Sequence, residues 1–566
     1  MNLIKAVSIF LGVLIAATAW LALASVPSTP PPWISFVDIA SSAGLRDPVI
    51  FGGTERQKYI LETTGTGVAI FDYDGDDRPD IFLVNGSRLG TTTRDAPSNR
   101  LYHNLGGGKF EEVTAKAGLL HSGWGQAACV GDFDNDGWMD LLVTSYGNNI
   151  LYRNKGNGTF EDVTQKAGIQ TAGRWNSGCT FVDYDNDGKL DIFVANYVDY
   201  RDATRYAPGS GPNCKWKGMD VMCGPMGLGK SKNILFHNNG DGTFTDVSVA
   251  SGVTRAQGFY CLMPVTLDFN LDGWPDIYVA CDSSPNILLK NNGNGTFADV
   301  AAEAGAAYNE DGREQASMGV AVADYNLDGY PDLLVTNFSD DTPTLYRNNA
   351  DGTFNDSTFA AKLGFNTQYL SWGVGLVDLD NDGRKDIFIA SGHVYPEVDQ
   401  HPSGAKYREG RLVYRNLGDG TFEDLSTRSG PGITAKKASR GVAFEDLDGD
   451  GDLDIVVVNL NDIPSLLRND GAGKNNWLIL RLEGSTSNRS AIGARVRVAA
   501  GGRIQTDEVR SASSYYSSNG LRLHFGLGAA TQADHIDVYW PSGKHQVFRD
   551  VKADRAVAIH EERGMQ

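Results

Sequence analysis

Positive charge is what this 566-residue chain is short of: 50 Lys and Arg stand against 70 Asp and Glu, a net −20 at pH 7. A deficit of that size repels nucleic acid and anionic lipid, which argues against both as partners. Cysteine is scarce as well, six residues with no C-x-x-C pair, so zinc-ribbon and thioredoxin-type sites have no support. There is no G-x-S-x-G elbow, no H-E-x-x-H helix and no glycine loop opening a helix to cradle phosphate. Beyond residue 24 no run is apolar enough to cross a bilayer as a helix.

The first 24 residues differ from the rest. Lys5 precedes an apolar run from Ala6 to Ala24, and Ala22-Leu23-Ala24 forms an A-x-A site before the Pro-rich residues 25–33. That layout predicts a signal peptide or an uncleaved signal anchor over 1–24, and hence a secreted, periplasmic or cell-surface protein. Membrane contact is expected only in the anchor case. Export makes disulfides possible. Cys214 and Cys223 share one Gly/Pro-rich insertion and are expected to pair; Cys261 and Cys281 flank an acidic loop and fit a bridge between neighbouring strands less firmly. Cys129 and Cys179 fit burial as small core residues as well as pairing.

What the chain has in abundance is repetition. An acidic nonapeptide, D-x-[DN]-x-D-G-x-x-D with one departure at its sixth place, begins at Asp72, Asp132, Asp183, Asp268, Asp324, Asp378 and Asp446. A short apolar strand precedes each copy and another follows it. Next comes an apolar pair, any residue and Asn, as in LYHN at 101–104 and LLRN at 466–469. A third signature, G-x-G-x-F-x-[DE], closes the unit, as in GNGTFED at 156–162. Each unit therefore encodes about four short strands, a sheet that cannot bury both faces alone, and radial packing of such sheets makes a β-propeller. The seventh unit lacks its F-x-D strand, and Phe36-Val37-Asp38-Ile39-Ala40 supplies one at the other end of the chain. The expectation is an all-β fold: a seven-bladed β-propeller over 34–475, closed by its N-terminal strand, then a small antiparallel β-sandwich or barrel over 476–562.

Carboxylates or amides at loop positions 1, 3 and 5, a backbone carbonyl at 7 and a carboxylate at 9 make an all-oxygen cage suited to Ca²⁺. The expected ligands of the first loop are Asp72, Asp74, Asp76, the Arg78 carbonyl and Asp80. The next two loops offer Asp132, Asp134, Asp136, Trp138 and Asp140, then Asp183, Asp185, Asp187, Lys189 and Asp191. The fourth and fifth offer Asp268, Asn270, Asp272, Trp274 and Asp276, then Asp324, Asn326, Asp328, Tyr330 and Asp332. The last two offer Asp378, Asp380, Asp382, Arg384 and Asp386, then Asp446, Asp448, Asp450, Asp452 and Asp454. Asn270 and Asn326 lower the charge of their loops, which are expected to bind more weakly. Asp77 replaces the usual glycine of the first loop. An EF-hand would need Glu at position 12, where this chain has Leu83, Val143, Val194, Val279, Val335, Ile389 and Val457. Plain Asx turns are the alternative, but so many carboxylates in short turns repel one another unless a cation sits among them. Up to seven structural Ca²⁺ are expected, with no catalytic residue.

These repeats resemble the FG-GAP or VCBS repeats of integrin-α-type propellers, a resemblance covering about residues 34–475 that implies Ca²⁺ in the loops. In the tail, SNRSAIGARVRV at 487–498, SSYYSSNGLRLHFGLG at 513–528 and VYWPSGK at 538–544 resemble the ASPIC/UnbV domain. Together the halves are similar to bacterial members of the cartilage acidic protein family, which implies an extracellular, calcium-binding protein but no reaction.

Three insertions, about 86–99, 197–232 and 391–411, fall at one structural place, between the strand after the acidic loop and the apolar-x-Asn strand. They open on one face, the expected ligand surface. The third holds His393, Glu397, Asp399 and His401, a possible polar or second metal site beside the reading as solvated loop. Tyr515 and Tyr516 fit buried or edge aromatics better than a sugar platform. The favoured reading is an exported binding or adhesion-type module for a protein or glycan, rather than an enzyme. A glycan-processing enzyme built on a propeller and a purely structural envelope scaffold are the alternatives.

Overall fold

The computed structural model describes residues 33–91, 97–254, 258–471 and 475–566. The expected signal or anchor over 1–24 lies outside them, as does part of the 86–99 insertion. Among the described residues no helix is long and apolar enough to cross a membrane.

Seven four-stranded antiparallel blades form the larger part. Blade 1 runs Val68–Phe71, Asp80–Leu83, Arg100–Gly106 and Lys109–Glu112 from the axis outward, and blades 2 to 6 repeat that order. In blade 7 the first three strands, Ser439–Glu445, Asp454–Asn459 and Ser465–Asn469, are completed by Phe36–Asp38, with Phe36 opposite Asn469 and Asp38 opposite Leu467. The N-terminal strand thus closes the ring. It is shorter than the five residues expected, because Ala40–Ala43 turns into a helix capped by Gly44 in the left-handed region (φ 112°).

Burial follows position in the blade. Each strand after an acidic loop, such as Ile81-Phe82-Leu83 or Ile455–Val458, lies between neighbouring blades and is buried, with only Tyr146 and Gly147 at the end of the blade 2 strand half-buried. That placement explains the unbroken apolar runs. The outermost strands bury only their Phe, as at Phe160 and Phe244, and leave the next two residues exposed.

The conserved-looking Asn of each repeat holds the ring together. Asn154 Nδ2 donates to Met139 O of its own blade (3.1 Å) and to Tyr73 O of the blade before (2.8 Å). The same link to the preceding blade recurs from Asn238 to Phe133 O, Asn291 to Tyr184 O, Asn348 to Phe269 O and Asn416 to Tyr325 O. Asn469 to Leu379 O and Asn104 to Leu447 O complete the circle, the last between blades 1 and 7. All seven side chains are buried.

The disulfides add local staples. Cys129–Cys179 joins the innermost strands of blades 2 and 3, Cys214–Cys223 ties one insertion, and Cys261–Cys281 links paired strands of blade 4. Cys129 and Cys179 are therefore both buried and paired.

The C-terminal part is a sandwich of two four-stranded sheets, one ordered Leu523–Gly528, Asn476–Glu483, Arg555–His560, Gly564–Met565 and the other Arg503–Glu508, Arg495–Ala500, Gln532–Tyr539, His545–Lys552. One pairing, Asn476–Glu483 with Arg555–His560, is parallel, an exception to the antiparallel expectation. His545–Lys552 has no apolar signature because it is a mostly exposed edge strand.

Residues 511–519 leave this sandwich and enter the propeller's central channel. Ser518 pairs through its backbone with Val68 and Ile70 of blade 1, and Ser514 with Val320 of blade 5. Tyr516 O accepts from Ala128 N of blade 2, Ser514 Oγ from Val374 N of blade 6, and Asn519 Oδ1 from Phe444 N of blade 7. Apart from Arg174 and Trp175, which pair with Gly147 and Tyr146 of blade 2, the innermost strands have no sheet neighbour on the axis side, and the plug supplies partners for their free backbone groups. A Cβ on Gly67 would lie 1.7 Å from Tyr516 O, so only glycine admits the plug there. Tyr515 and Tyr516, fully buried and stacked with centroids 4.0 Å apart, form its core.

Asn348→Ala should destabilise the chain by ~2 kcal/mol in urea unfolding, because it strands two buried carbonyls; no change would remove the inter-blade link as a stabilising element. Ala350 occupies, at φ 62°, the left-handed turn position that Gly156, Gly240, Gly293 and Gly418 hold in other blades. Ala350→Gly should therefore raise stability by ~0.5 kcal/mol, relieved strain exceeding the added freedom of the unfolded chain, and a lower melting temperature would contradict that.

Candidate metal centres

Each nonapeptide bridges an innermost strand and the strand beside it, so positions 1 and 9 are clamped at strand ends. In the second loop Asp132 Oδ1 accepts from Asp136 N (3.0 Å), Oδ2 from Gly137 N (2.7 Å), and Asp136 Oδ1 from Trp138 N (3.0 Å). Positions 4 and 6 are left-handed, Asn135 at φ 56° and Gly137 at 94°. The first loop departs as its sequence suggests: Asp77 holds the left-handed sixth position at φ 66°, with Gly75 at the fourth.

Position 9 is a buried structural hub. Asp140 Oδ2 accepts from Phe133 N (3.0 Å) and Oδ1 from Asn154 N (2.7 Å). Asp80, Asp191, Asp276, Asp332, Asp386 and Asp454 each take the same two backbone donors. Each oxygen keeps a second lone pair, so these carboxylates retain the capacity to ligate.

Position 3 is different. Oδ1 of Asp74, Asp134, Asp185 and Asp448 is buried and has no hydrogen-bond partner. Candidate ligand atoms of Asp72, Asp74 and Asp80 lie within 4.8 Å of one another, as do those of Asp132, Asp134 and Asp136, and of Asp183, Asp185 and Asp187. An orphaned carboxylate oxygen within an all-oxygen cluster fits a hard divalent cation. In the fourth and fifth loops the Asn270 and Asn326 amides instead donate to Asp272 and Asp328 (2.8 Å each), and their position-3 oxygens accept from Asp272 N (3.3 Å) and Asp328 N (3.2 Å), so these two clusters carry lower charge and no orphaned oxygen at position 3. The side chains of Arg78, Lys189 and Arg384 pair with the position-5 carboxylates, so the expected ligand at position 7 is the backbone carbonyl alone.

Sequence reasoning overlooked one position. The variable residue of apolar-x-Asn is basic in every blade: His103, Arg153, His237, Lys290, Arg347, Arg415 and Arg468. In blades 1 and 3 it reaches the cluster as imidazole, with His103 Nδ1 3.2 Å from Asp80 Oδ1 and His237 Nδ1 3.2 Å from Asp191 Oδ1. Arg153 pairs with Asp134 and with Asp136 (2.8 Å), and Arg415 with Asp380 (3.2 Å). The signal was the invariant basic character at that place.

Confinement of so much acid raises its affinity for protons. Burial first, then neighbouring carboxylates, pushes Asp378 up to about 8. Burial against opposing backbone hydrogen bonds leaves Asp80, Asp276 and Asp332 at about 8, and Asp132, Asp183 and Asp324 at about 7.

The C-terminal sandwich lies on this loop face. Arg489 N donates to Asn135 Oδ1 (2.8 Å), Arg522 Nη2 to Glu445 Oε1 (2.7 Å) and to Asp446 O (2.9 Å), and His524 Nε2 meets Gly451 O (2.9 Å). Gly528 N donates to Asn381 O (2.8 Å), and Lys385 pairs with Asp507 (2.9 Å). A Cβ on Gly526 would lie 2.0 Å from Asp378 Oδ2, so the sixth loop and the sandwich are in close contact.

The insertions open on the opposite face. His393 is buried beside Trp216, Asp399 Oδ1 accepts from Tyr407 N (2.9 Å), and His401 Nδ1 from Ser403 N (3.3 Å). Glu397 faces Arg56 at 3.5 Å.

The family model described as FG-GAP-like repeat matches residues 72–143, 132–194, 268–335, 324–389 and 405–457, more than half of the chain in all. The model described as ASPIC and UnbV matches residues 484–566. Cartilage acidic protein 1 of Mus musculus is 28% identical over 396 residues, covering 67% of this chain and 53% of its own length. The Homo sapiens protein of that name is 27% identical over 397 residues, covering 67% and 52%. The chain thus spans about half the length of the curated relatives it matches. A solved Agrocybe aegerita lectin, described as specifically recognising non-reducing terminal N-acetylglucosamine, superposes with a TM-score of 0.37 at 18% identity, over 70% of this chain and 86% of its own. A superposition that loose carries no argument.

In chelator, the aspartates whose pKa rises from 3.8 to about 7 or 8 make folding take up protons. Their stabilisation is complete below the unfolded value and is lost as pH rises through the folded ones. The melting temperature in chelator should therefore fall across pH 5 to 8, and millimolar divalent cation should flatten or reverse that slope. Parallel pH profiles with and without cation would contradict this origin of the shifts.

Proposed function

Because this chain belongs to the FG-GAP-like repeat family and carries an ASPIC and UnbV domain, we propose that it is an exported, calcium-stabilised binding module for a protein or glycan ligand. The observation that carries the calcium reading is the unpartnered, buried position-3 oxygen recurring in four acidic loops. Ca²⁺ would be held by the carboxylates or amides at positions 1, 3, 5 and 9 with the position-7 carbonyl: Asp132, Asp134, Asp136, Asp140 and the Trp138 carbonyl in blade 2, and equivalents around the ring. When bound it supplies positive charge where desolvated carboxylates otherwise repel.

The role read for the ion is structural. Seven hairpins would be pinned, and with them the loop conformations on which Arg489, Arg522 and His524 rest. The sandwich and its plug occupy the loop face and the channel, so the ligand is assigned to the opposite face, where the insertions lie. Export is supported by three disulfides, which persist in oxidising compartments.

The test is a melt of the chain from residue 33 onward in excess Ca²⁺, in EGTA, and in EGTA with Mg²⁺. Each saturated site stabilises by about 2.7 kcal/mol at a hundredfold excess over its dissociation constant, so a calcium-specific rise of ~10 °C or more is expected. Limited proteolysis in EGTA should release the C-terminal sandwich first. No shift, together with no bound metal by elemental analysis, would sink the reading.

A further inference from the structure

At the mouth of the channel away from the plug, three segments from distant parts of the ring meet. The hairpin Lys215–Trp216 and Met219–Asp220, part of the blade 3 insertion and tied at its base by Cys214–Cys223, reaches across to blades 5 and 6. The Trp216 ring lies 4.9 Å from the His393 ring, 5.8 Å from His401 and 6.2 Å from Tyr395. Lys217 pairs with Asp340 (2.8 Å). Arg56, ahead of blade 1, donates to Asp220 O (3.3 Å) and faces Glu397 (3.5 Å). Below, Arg440 stacks on Trp372 at 4.1 Å and gives its guanidinium hydrogens to the carbonyls of Thr63, Gly392 and His393, a rigid floor.

Between hairpin and floor the polar groups are not satisfied. His393 Nδ1 accepts from Tyr395 N (3.2 Å), so its proton is on Nε2, and that nitrogen has no acceptor. The Tyr407 hydroxyl and both Glu397 carboxylate oxygens are likewise buried without a hydrogen-bond partner, Arg56 standing 3.5 Å from one of those oxygens as an ion-pair partner. His393 is 0% exposed. The groups are neighbours through the fold: His393 N donates to Tyr407 O (3.0 Å), and the Glu397 charge acts on the Tyr395 and Tyr407 hydroxyls. Native proteins leave few buried polar atoms unpaired, and a cluster of them at one mouth calls for an occupant. The set mixes donors (His393, Tyr407) with an acceptor (Glu397). A ligand carrying charge of one sign would satisfy only half of it, whereas hydroxyl groups both donate and accept. Trp216, Tyr395 and Phe338, whose ring lies 5.8 Å from that of His393, bring aromatic rings to the same place, with Lys217 Nζ over the Trp216 ring at 4.8 Å.

We infer that this mouth is a binding site for a neutral sugar ring, covered by the 215–220 hairpin, with Glu397, His393 and Tyr407 bonding its hydroxyls and Trp216 packing on its apolar face. The inference rests on the binding-module reading and names its ligand class and residues.

Calcium-loaded protein from residue 33 onward would be titrated by calorimetry with glucose, galactose, mannose and N-acetylglucosamine, beside the variants Trp216→Ala, Glu397→Gln and Tyr407→Phe. At least one sugar should bind saturably, and each variant should weaken it by about tenfold or more. Tyr407→Phe removes a buried unpartnered hydroxyl at constant shape, so its melting temperature should stay or rise while binding falls. That combination cannot come from misfolding. Saturable binding unaltered in all three variants would overturn the site while leaving a glycan-binding module in place. No saturation by any sugar overturns the inference as well. The broader reading is then tested separately, by calcium-dependent retention of the wild-type chain on protein ligands.

Discussion

Seven times around the ring, a buried asparagine gives its amide hydrogens to a carbonyl in the preceding blade, and in six of the seven also to one in its own. The aspartate ending each acidic loop is held by that asparagine's own backbone N–H and by the second residue of the loop, the residue whose carbonyl serves the next blade. Apart from Arg174 and Trp175 of blade 3, which pair with Gly147 and Tyr146 of blade 2, sheet pairing stops at the edge of a blade, so this lattice carries specificity from one blade to the next. It places the acidic loops side by side on one face. Burial that strengthens the lattice also strips water from the carboxylates, which is why their proton affinity rises.

The C-terminal sandwich uses both products of that arrangement. Its arginines and backbone groups rest on the loop face, and its Ser-Tyr-Tyr-Ser segment fills the channel that seven innermost strands must leave. Serine suits the plug because small hydroxyl side chains accept from strand N–H groups without needing room. The stacked tyrosines occupy the rest of the bore. Propeller and sandwich thus share buried surface and hydrogen bonds, and the insertions lie on the opposite face.

Much of the architecture was legible in the residues. Blade number, the displaced closing strand and the acidic loops follow from motifs recurring in fixed order, because a repeat must solve one packing problem seven times. The basic residue before each asparagine was equally visible, yet its meaning needed the strand register that turns His103 or Arg153 over the neighbouring carboxylates. His545–Lys552 escaped because an exposed edge strand needs no apolar alternation, and the parallel pair escaped because strand order is not written in strand composition.

By itself the sequence determined what is local and repeated: strand, acidic turn, strand, and the charge that asks for a cation. Hydrogen bonding and hydrophobic periodicity act over a few residues, so they survive in the linear order. Only the tertiary structure decided that Cys129 meets Cys179, that Tyr515 and Tyr516 fill a channel in another part of the chain, and that Trp216 and His393 share one mouth. Those contacts join residues tens to hundreds of positions apart, and their geometry comes from the closure of the ring, which no single segment encodes.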